Sequence, residues 1–197
     1  MSDNSLKVIT PVARLSYPFL AKPQPGAPGK PDKYSCALIF PPGSDLTGLK
    51  KAMLAAIEAK WPGKVNDAKF MAGLHKPLRD SPDDVLAKGY PEGSTFINVR
   101  SNQQPGMVYP WPASPGSKVP AVVPPEKVAE TFYPGCYVVA SLTAYGFEAE
   151  GKKGPTFGLN NLQWVKDGER LDNRRKAEEE FVASLDAAPA DLADLMK

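Results

Sequence analysis

The 197-residue chain has only two cysteines, Cys36 and Cys136, and a single histidine, His75. A disulfide framework is therefore excluded, and a structural zinc site would need four ligands from a pool holding one imidazole. Both thiols read as reduced core residues of a cytoplasmic protein. No stretch approaches the ~20 consecutive apolar residues of a membrane span. The opening Met1-Ser2-Asp3-Asn4-Ser5 lacks a basic segment followed by an apolar one, so neither membrane insertion nor secretion is expected. Phosphate-cradling Gly-x-x-x-x-Gly-Lys-Ser/Thr, dinucleotide-binding Gly-x-Gly-x-x-Gly and zinc-binding His-Glu-x-x-His are all missing, which leaves nucleotide hydrolysis and zinc proteolysis without support. A Cys/His hydrolase would have to bring His75 to a thiol, yet both cysteines sit in apolar strand patterns. Asp80, Asp83 and Asp84 are the carboxylate cluster a metal-dependent nuclease would need. Within Arg79-Asp80-Ser81-Pro82-Asp83-Asp84 they read more economically as turn chemistry. No catalytic residue, metal or cofactor is expected.

Proline, by contrast, is abundant: 22 prolines and 16 glycines exclude long helices as the dominant element and call for long loops. Charge is segregated. Residues 1–177 carry 23 basic and 16 acidic side chains, a net +7, whereas residues 178–197 carry six acidic side chains against Lys197. A basic body with an acidic tail is the layout of a polyanion binder whose tail competes for the same groove; a merely solvated terminus is the bland alternative. The expected organisation is a binding domain over 1–177 and an acidic, flexible or partly helical tail over 178–197.

Hydrophobic patterning predicts five strands and one main helix. Lys7 to Phe19 reads as an edge-like strand interrupted by Pro11 and Pro18, followed by a Pro-rich loop from Leu20 to Asp32. Lys33 to Phe40 is a second strand. Ser44 or Asp45 caps a helix whose apolar stripe is Leu46, Leu49, Met53, Leu54, Ile57 and Trp61. Residues 63–93 read as irregular, and Ser94 to Arg100 as a third strand. Pro105 to Pro125, with seven prolines, reads as a long exposed arm. Cys136 to Phe147 and Thr156 to Lys166 form a hairpin around Gly151-Lys152-Lys153-Gly154. The set fits a mainly β fold, a five-stranded OB-type barrel, better than a parallel α/β sheet, with a β-sandwich as runner-up.

Alternation assigns Thr95, Ile97 and Val99 to the core, leaving Phe96, Asn98 and Arg100 outside. It likewise buries Val138, Ala140, Leu142 and Ala144, leaving Tyr137, Ser141, Thr143, Tyr145 and Phe147 outside. Outward aromatics beside cations suit single-stranded nucleic acid, whose bases stack at ~1–3 kcal/mol each and whose phosphates release counterions. The competing view packs those aromatics beneath loops as a secondary core. Stacking is assigned to Phe96, Tyr137, Tyr145 and Phe147, and phosphate contact to Arg14, Lys33, Arg100, Lys152 and Lys153. Tyr109 and Trp111 on the Pro-rich arm form a candidate clamp, for DNA or for a neighbouring subunit.

The ordered segments Arg14-Leu15-Ser16-Tyr17-Pro18, Lys33-Tyr34-Ser35, Lys76-Pro77-Leu78-Arg79-Asp80, Phe96-Ile97-Asn98, Tyr133-Pro134-Gly135-Cys136-Tyr137-Val138 and Gly158-Leu159-Asn160-Asn161-Leu162-Gln163 resemble the phage single-stranded-DNA-binding proteins first catalogued as a domain of unknown function. The resemblance spans roughly residues 8–180. It implies an OB fold, sequence-independent binding of single-stranded DNA in phage replication or recombination, no catalysis, and the host cytoplasm. It adds Tyr17 and Asn98 to the candidate DNA ligands. The acidic tail is similar to that of podophage replication binding proteins, where such tails recruit partners and shield the DNA groove. This one ends Asp194-Leu195-Met196-Lys197, without the terminal aromatic common there. The expected partners are single-stranded DNA and, through the tail, replication or recombination proteins. A homo-oligomer is compatible with the same reading. A protein-interaction module built on the tail and the Pro-rich arm, and a nuclease using Asp80, Asp83 and Asp84, are the alternatives.

Overall fold

The computed structural model describes residues 5–149 and 151–171; the acidic tail and Arg174-Arg175-Lys176 lie outside them. The described chain runs β1 (Lys7–Ile9), β2 (Ala13–Gln24), β3 (Lys33–Phe40), α1 (Thr47–Lys60), α2 (Ala68–Ala72), α3 (Pro82–Ala87), β4 (Thr95–Ser101), β5 (Gly106–Pro112), β6 (Pro120–Val122), a 3-10 turn leading into α4 (Val128–Thr131), β7 (Tyr137–Ala149) and β8 (Lys152–Lys166).

The eight strands pair in the order β1-β7-β2-β3-β4-β8-β5-β6, and β7 also pairs with β8. That extra pairing closes a ring of five strands, β7-β2-β3-β4-β8, which removes their free edges. Within the ring only the β4–β8 contact is parallel, the rest being antiparallel. The five sequence-assigned strands are those of the ring. β1 lies outside it, paired to β7, because Pro11 divides what alternation read as one strand.

Inside the ring, Leu15, Leu38, Ile97, Val138, Ala140, Leu142 and Ala144 are fully buried, each at the parity that alternation assigns to the interior. α1 supplies Leu49, Ala52 and Ala56 to the same core. The helix N-cap is Leu46, without a side-chain cap bond, in place of the Ser44 or Asp45 expected; Asp45, one residue earlier, accepts a hydrogen bond from Thr47 N at 2.9 Å in a turn ahead of the helix. Leu54, placed on the apolar stripe by spacing, is exposed instead. Cys36 and Cys136 are free, buried thiols. Burial pushes both up, Cys136 to about 12.

Two regions depart from their sequence reading. Residues 63–93 contain α2 and α3, and Val85 and Tyr90 join Ile39 and Phe96 in a second, smaller core outside the ring. The Pro-rich stretch is a β-hairpin, not a free arm: β5 runs parallel to β8 through Gly106↔Asn161, Met107↔Leu162 and Val108↔Gln163. Its prolines are tolerated because β5 and β6 form the margin of the sheet, where missing N–H donors cost least.

Candidate nucleic-acid interface

β2 breaks register between Ser16 and Phe19, and Tyr17 there has φ 45°, unique among non-glycine residues described. Such a bulge inserts one residue and reverses the parity that follows. Tyr17 consequently stands out at 58 % exposure and Phe19 at 37 %, while Leu20 turns into the core. A bulky residue at positive φ is strained, a cost associated with functional positions.

Phe19 then falls into one cross-strand row on the outer surface: Phe19↔Ser35, Ser35↔Arg100, Arg100↔Gly158 and Gly158↔Thr143. The neighbouring row is Ser16↔Ala37↔Asn98. Small residues make the floor, and Tyr17, Phe19, Lys88, Asn98 and Arg100 make the walls of a hollow of about 310 Å³. Past Gln24 and Arg100 it continues into a second hollow of about 430 Å³ lined by Gly26, Lys30 and Pro31 on the β2–β3 loop and by Lys33 at the start of β3. Lys88 Nζ sits 5.8 Å from the Tyr17 ring, close enough for a cation to hold the ring's face. Among the described residues, Lys33, Lys88 and Arg100 form no ion pair with a carboxylate. The result is an open trough with two aromatic rings, an amide and cations.

A sequence profile described as that of the Enterobacter phage Enc34 ssDNA-binding protein matches residues 6–193. The chain belongs to this family. The Enc34 protein solved in complex with ssDNA is 23 % identical, with a TM-score of 0.65 over 85 % of this chain and 90 % of that one. Its C-terminally truncated form is 26 % identical, with a TM-score of 0.64 over 85 % and 89 %. The bacteriophage T7 protein gp2.5, a single-stranded DNA binding protein, shares the fold at 13 % identity, with a TM-score of 0.53 over 88 % and 99 %. No protein of curated function is significantly similar in sequence.

In this Enc34-family chain the sequence-assigned residues divide among five places. Tyr17, Lys33, Asn98 and Arg100 meet in the trough. Tyr145, 50 % exposed, borders its row: a Cβ on Gly158 would sit 3.6 Å from the Tyr145 ring, so the glycine leaves the ring beside Arg100's strand partner.

Arg14 and Tyr137 belong to a clasp. The Arg14 guanidinium donates to Gly135 O at 3.4 Å and Glu169 O at 2.5 Å, while the Tyr137 ring lies 4.8 Å from Lys166 Nζ. Tyr133 Oη bonds Asp167 and Gly168 at 3.0 Å. These contacts fasten the chain after β8 to the start of β7, and two of Arg14's five N–H donors are engaged there by backbone.

Phe147, Lys152 and Lys153 lie at the tip of the β7–β8 hairpin. Phe147 meets His75 edge to face at 5.8 Å, and Lys153 Nζ sits 4.6 Å over Phe70. Lys152 and Lys153 are strand residues, because β8 begins there and the turn is shorter than the sequence reading had it.

Phe96 requires correction as a stacking residue. It faces away from the barrel as alternation requires, but is 1 % exposed, covered by Ile39 and Val85 and by Tyr90 at 5.2 Å. Its ring face is unavailable to a base. Tyr109 and Trp111 stack at 4.4 Å, both edge to face with Trp164, and Tyr109 Oη is 3.3 Å from Thr131 Oγ1. They form a fixed aromatic cluster on a hairpin, with Trp111 47 % exposed.

Sequence reasoning missed Phe19, Gln24 and Lys88. The Tyr17-Pro18 step was the available signal for Phe19, since proline inside a strand marks a bulge. Lys88 follows α3, an element too short for periodicity to show.

The Lys76-Pro77-Leu78-Arg79 segment closes the ring where β4 and β8 diverge. Arg79 and Phe96 exchange backbone bonds of 3.0 and 2.9 Å, and His75 N donates to Lys153 O at 2.8 Å. Burial, then the charges of Arg79 and Lys152, lower the His75 pKa below its ordinary value. The folded protein thus binds a proton on His75 less readily than the unfolded chain. Its stabilising contribution is complete above about pH 6.5 and is lost as pH falls through the lowered folded value. Thermal melts between about pH 7 and pH 5 should show a smaller decline for His75→Gln than for the wild type; equal declines would remove His75 as a cause.

Among the described residues no group of three His, Cys, Asp or Glu side chains is placed to hold a metal. Asp83 and Asp84 occupy the first turn of α3, where carboxylates favour the helix dipole.

Proposed function

We propose that this chain binds single-stranded DNA without sequence preference along the trough across β2, β3 and β4, in phage DNA replication or recombination. The observation that carries the reading is the row Phe19-Ser35-Arg100-Gly158, flanked by Tyr17 and Lys33. It offers rings for stacking and cations for phosphates over a floor too small to obstruct a strand. Membership of the Enc34 family supports the same ligand. The barrel is of OB type: in that fold oligonucleotides lie on the face of the second and third barrel strands and under the first and last inter-strand loops. Here those parts are β3, β4, the Pro25–Asp32 loop and the β7–β8 turn.

The trough reads a strand without reading sequence. Stacking accepts any base, because every base has a π-face. Asn98, the exposed amide on the wall, is one group against many backbone contacts, too few to select a sequence. Lys152 and Lys153 at the hairpin tip extend the cationic surface toward the phosphates. The protein acts by occupancy, protecting exposed strands, with no catalytic step, in the host cytoplasm. The tail recruits partner proteins.

The test is the salt dependence of oligo-dT binding. Each phosphate contact on a single strand contributes about −0.7 to the slope of log K against log salt. The double variant Lys33→Ala/Arg100→Ala should therefore reduce the slope by about 1.4, as measured by fluorescence anisotropy over a salt series. An unchanged slope would remove these two cations from the strand's path.

A further inference from the structure

On the far side of Tyr17 and Phe19 from the trough lies a second recess, of about 510 Å³, which the trough's own geometry does not use. It exists because β2 pairs with β7 only through Ala13 and Arg14. Beyond Leu15, the turn at Pro134 and Gly135 carries the chain away, Gly135 with φ 113°, so that β2 from Tyr17 to Lys22 has no strand on that side. Short α4 covers the opening incompletely. The recess is walled by Pro18, Leu20, Val128, Ala129, Phe132 and Pro134, an apolar set, with Lys22 at the rim. Tyr133, also on the lining, has its Oη bonded to Asp167 and Gly168.

We propose that this recess is a nucleobase subsite that takes one base of the bound strand, turned over the Tyr17–Phe19 ridge out of the trough. The proposal rests on the single-stranded-DNA reading above. Three features commit the recess to a base. It is continuous with the trough, since Tyr17 and Phe19 line both, so a strand on one side reaches the other by rotating a single nucleotide. Its side-chain walls are apolar, which accepts the face of any base. Lys22 stands at the mouth, where the phosphate of a turned-out nucleotide would lie, while the wall itself carries no carboxylate. The bulge at Tyr17 then has a purpose besides exposing a ring: it forms the crest over which the strand bends.

Ultraviolet cross-linking of the full chain to oligo-dT containing 5-iododeoxyuridine, with the adducts mapped by mass spectrometry, tests this. Adducts are expected on the 128–134 segment as well as on Tyr17 or Phe19. Ala129→Trp, from an exposed position on α4, should fill the recess, abolish the 128–134 adducts, retain those in the trough and weaken binding about tenfold. Ala21→Trp fills it from the opposite wall and should do the same, which guards against misfolding of either variant. Adducts confined to the trough, with both variants binding as the wild type does, would overturn the subsite and assign the recess to a protein segment. Absence of saturable binding by the wild type would sink the function itself, a result distinct from loss of the subsite alone.

Discussion

Replacing Tyr17 and Phe19 together by alanine should weaken oligo-dT binding by about one and a half to four orders of magnitude while leaving the thermal midpoint nearly unchanged. Each stacked base contributes ~1–3 kcal/mol through its aromatic partner, and each 1.4 kcal/mol is about tenfold in affinity. The two rings project from one bulge over one floor, so their losses will couple and the lower half of the range is the safer expectation. Stability should be spared because both rings are exposed and Tyr17 carries backbone strain at φ 45°. Tyr17→Gly is the informative companion: glycine adopts that φ without penalty, so this variant should lose affinity and gain stability. A measured affinity within about twofold of wild type for the double variant would mean that the strand does not cross β2.

Phe96→Ala should produce the opposite pattern, with large destabilisation and little direct effect on DNA contact. The ring is fully enclosed by Ile39, Val85 and Tyr90, and truncating a buried phenylalanine costs about 3–5 kcal/mol. For a domain of this size that is a fall in Tm of roughly 6–20 °C. The same ring holds α3 against the sheet, and α3 leads into Lys88. Phe96→Leu, which keeps most of the volume, should recover most of the midpoint. If instead Phe96→Ala melted as the wild type does and bound DNA poorly, the ring would be a ligand after all and its burial transient.

The barrel was legible from the sequence because period-two alternation is strongest in strands with one wholly apolar face. Ile97 and Val99, and Val138, Ala140, Leu142 and Ala144, are assigned to the interior on that ground and lie there. The helix α1 was legible from its spacing. Phe96 shows where alternation stops: it says which side of a strand a residue faces, not whether another layer covers that side. The cover comes from Tyr90 and from α3, a helix of six residues in a stretch rich in turn formers, too short to show a period. The Pro-rich hairpin was missed for a related reason. Proline counts against strands in general, but not at a sheet margin, and nothing local in the sequence says that β5 will find β8. Of the trough, Asn98 and Arg100 follow from strand parity, Lys33 from the cations near the Pro-rich loop and Tyr17 from the family resemblance, while Phe19 depends on a bulge that inverts parity.

Hydrogen exchange of the full chain with and without saturating oligo-dT tests the central claim most directly. The account predicts slowed exchange in peptides covering residues 16–37 and 95–101, the β2–β3–β4 face and its loop, with the exposed face of α1 and the Tyr109–Trp111 hairpin unchanged. Protection confined to the hairpin or to α1, with residues 16–37 exchanging as in the free protein, would contradict it.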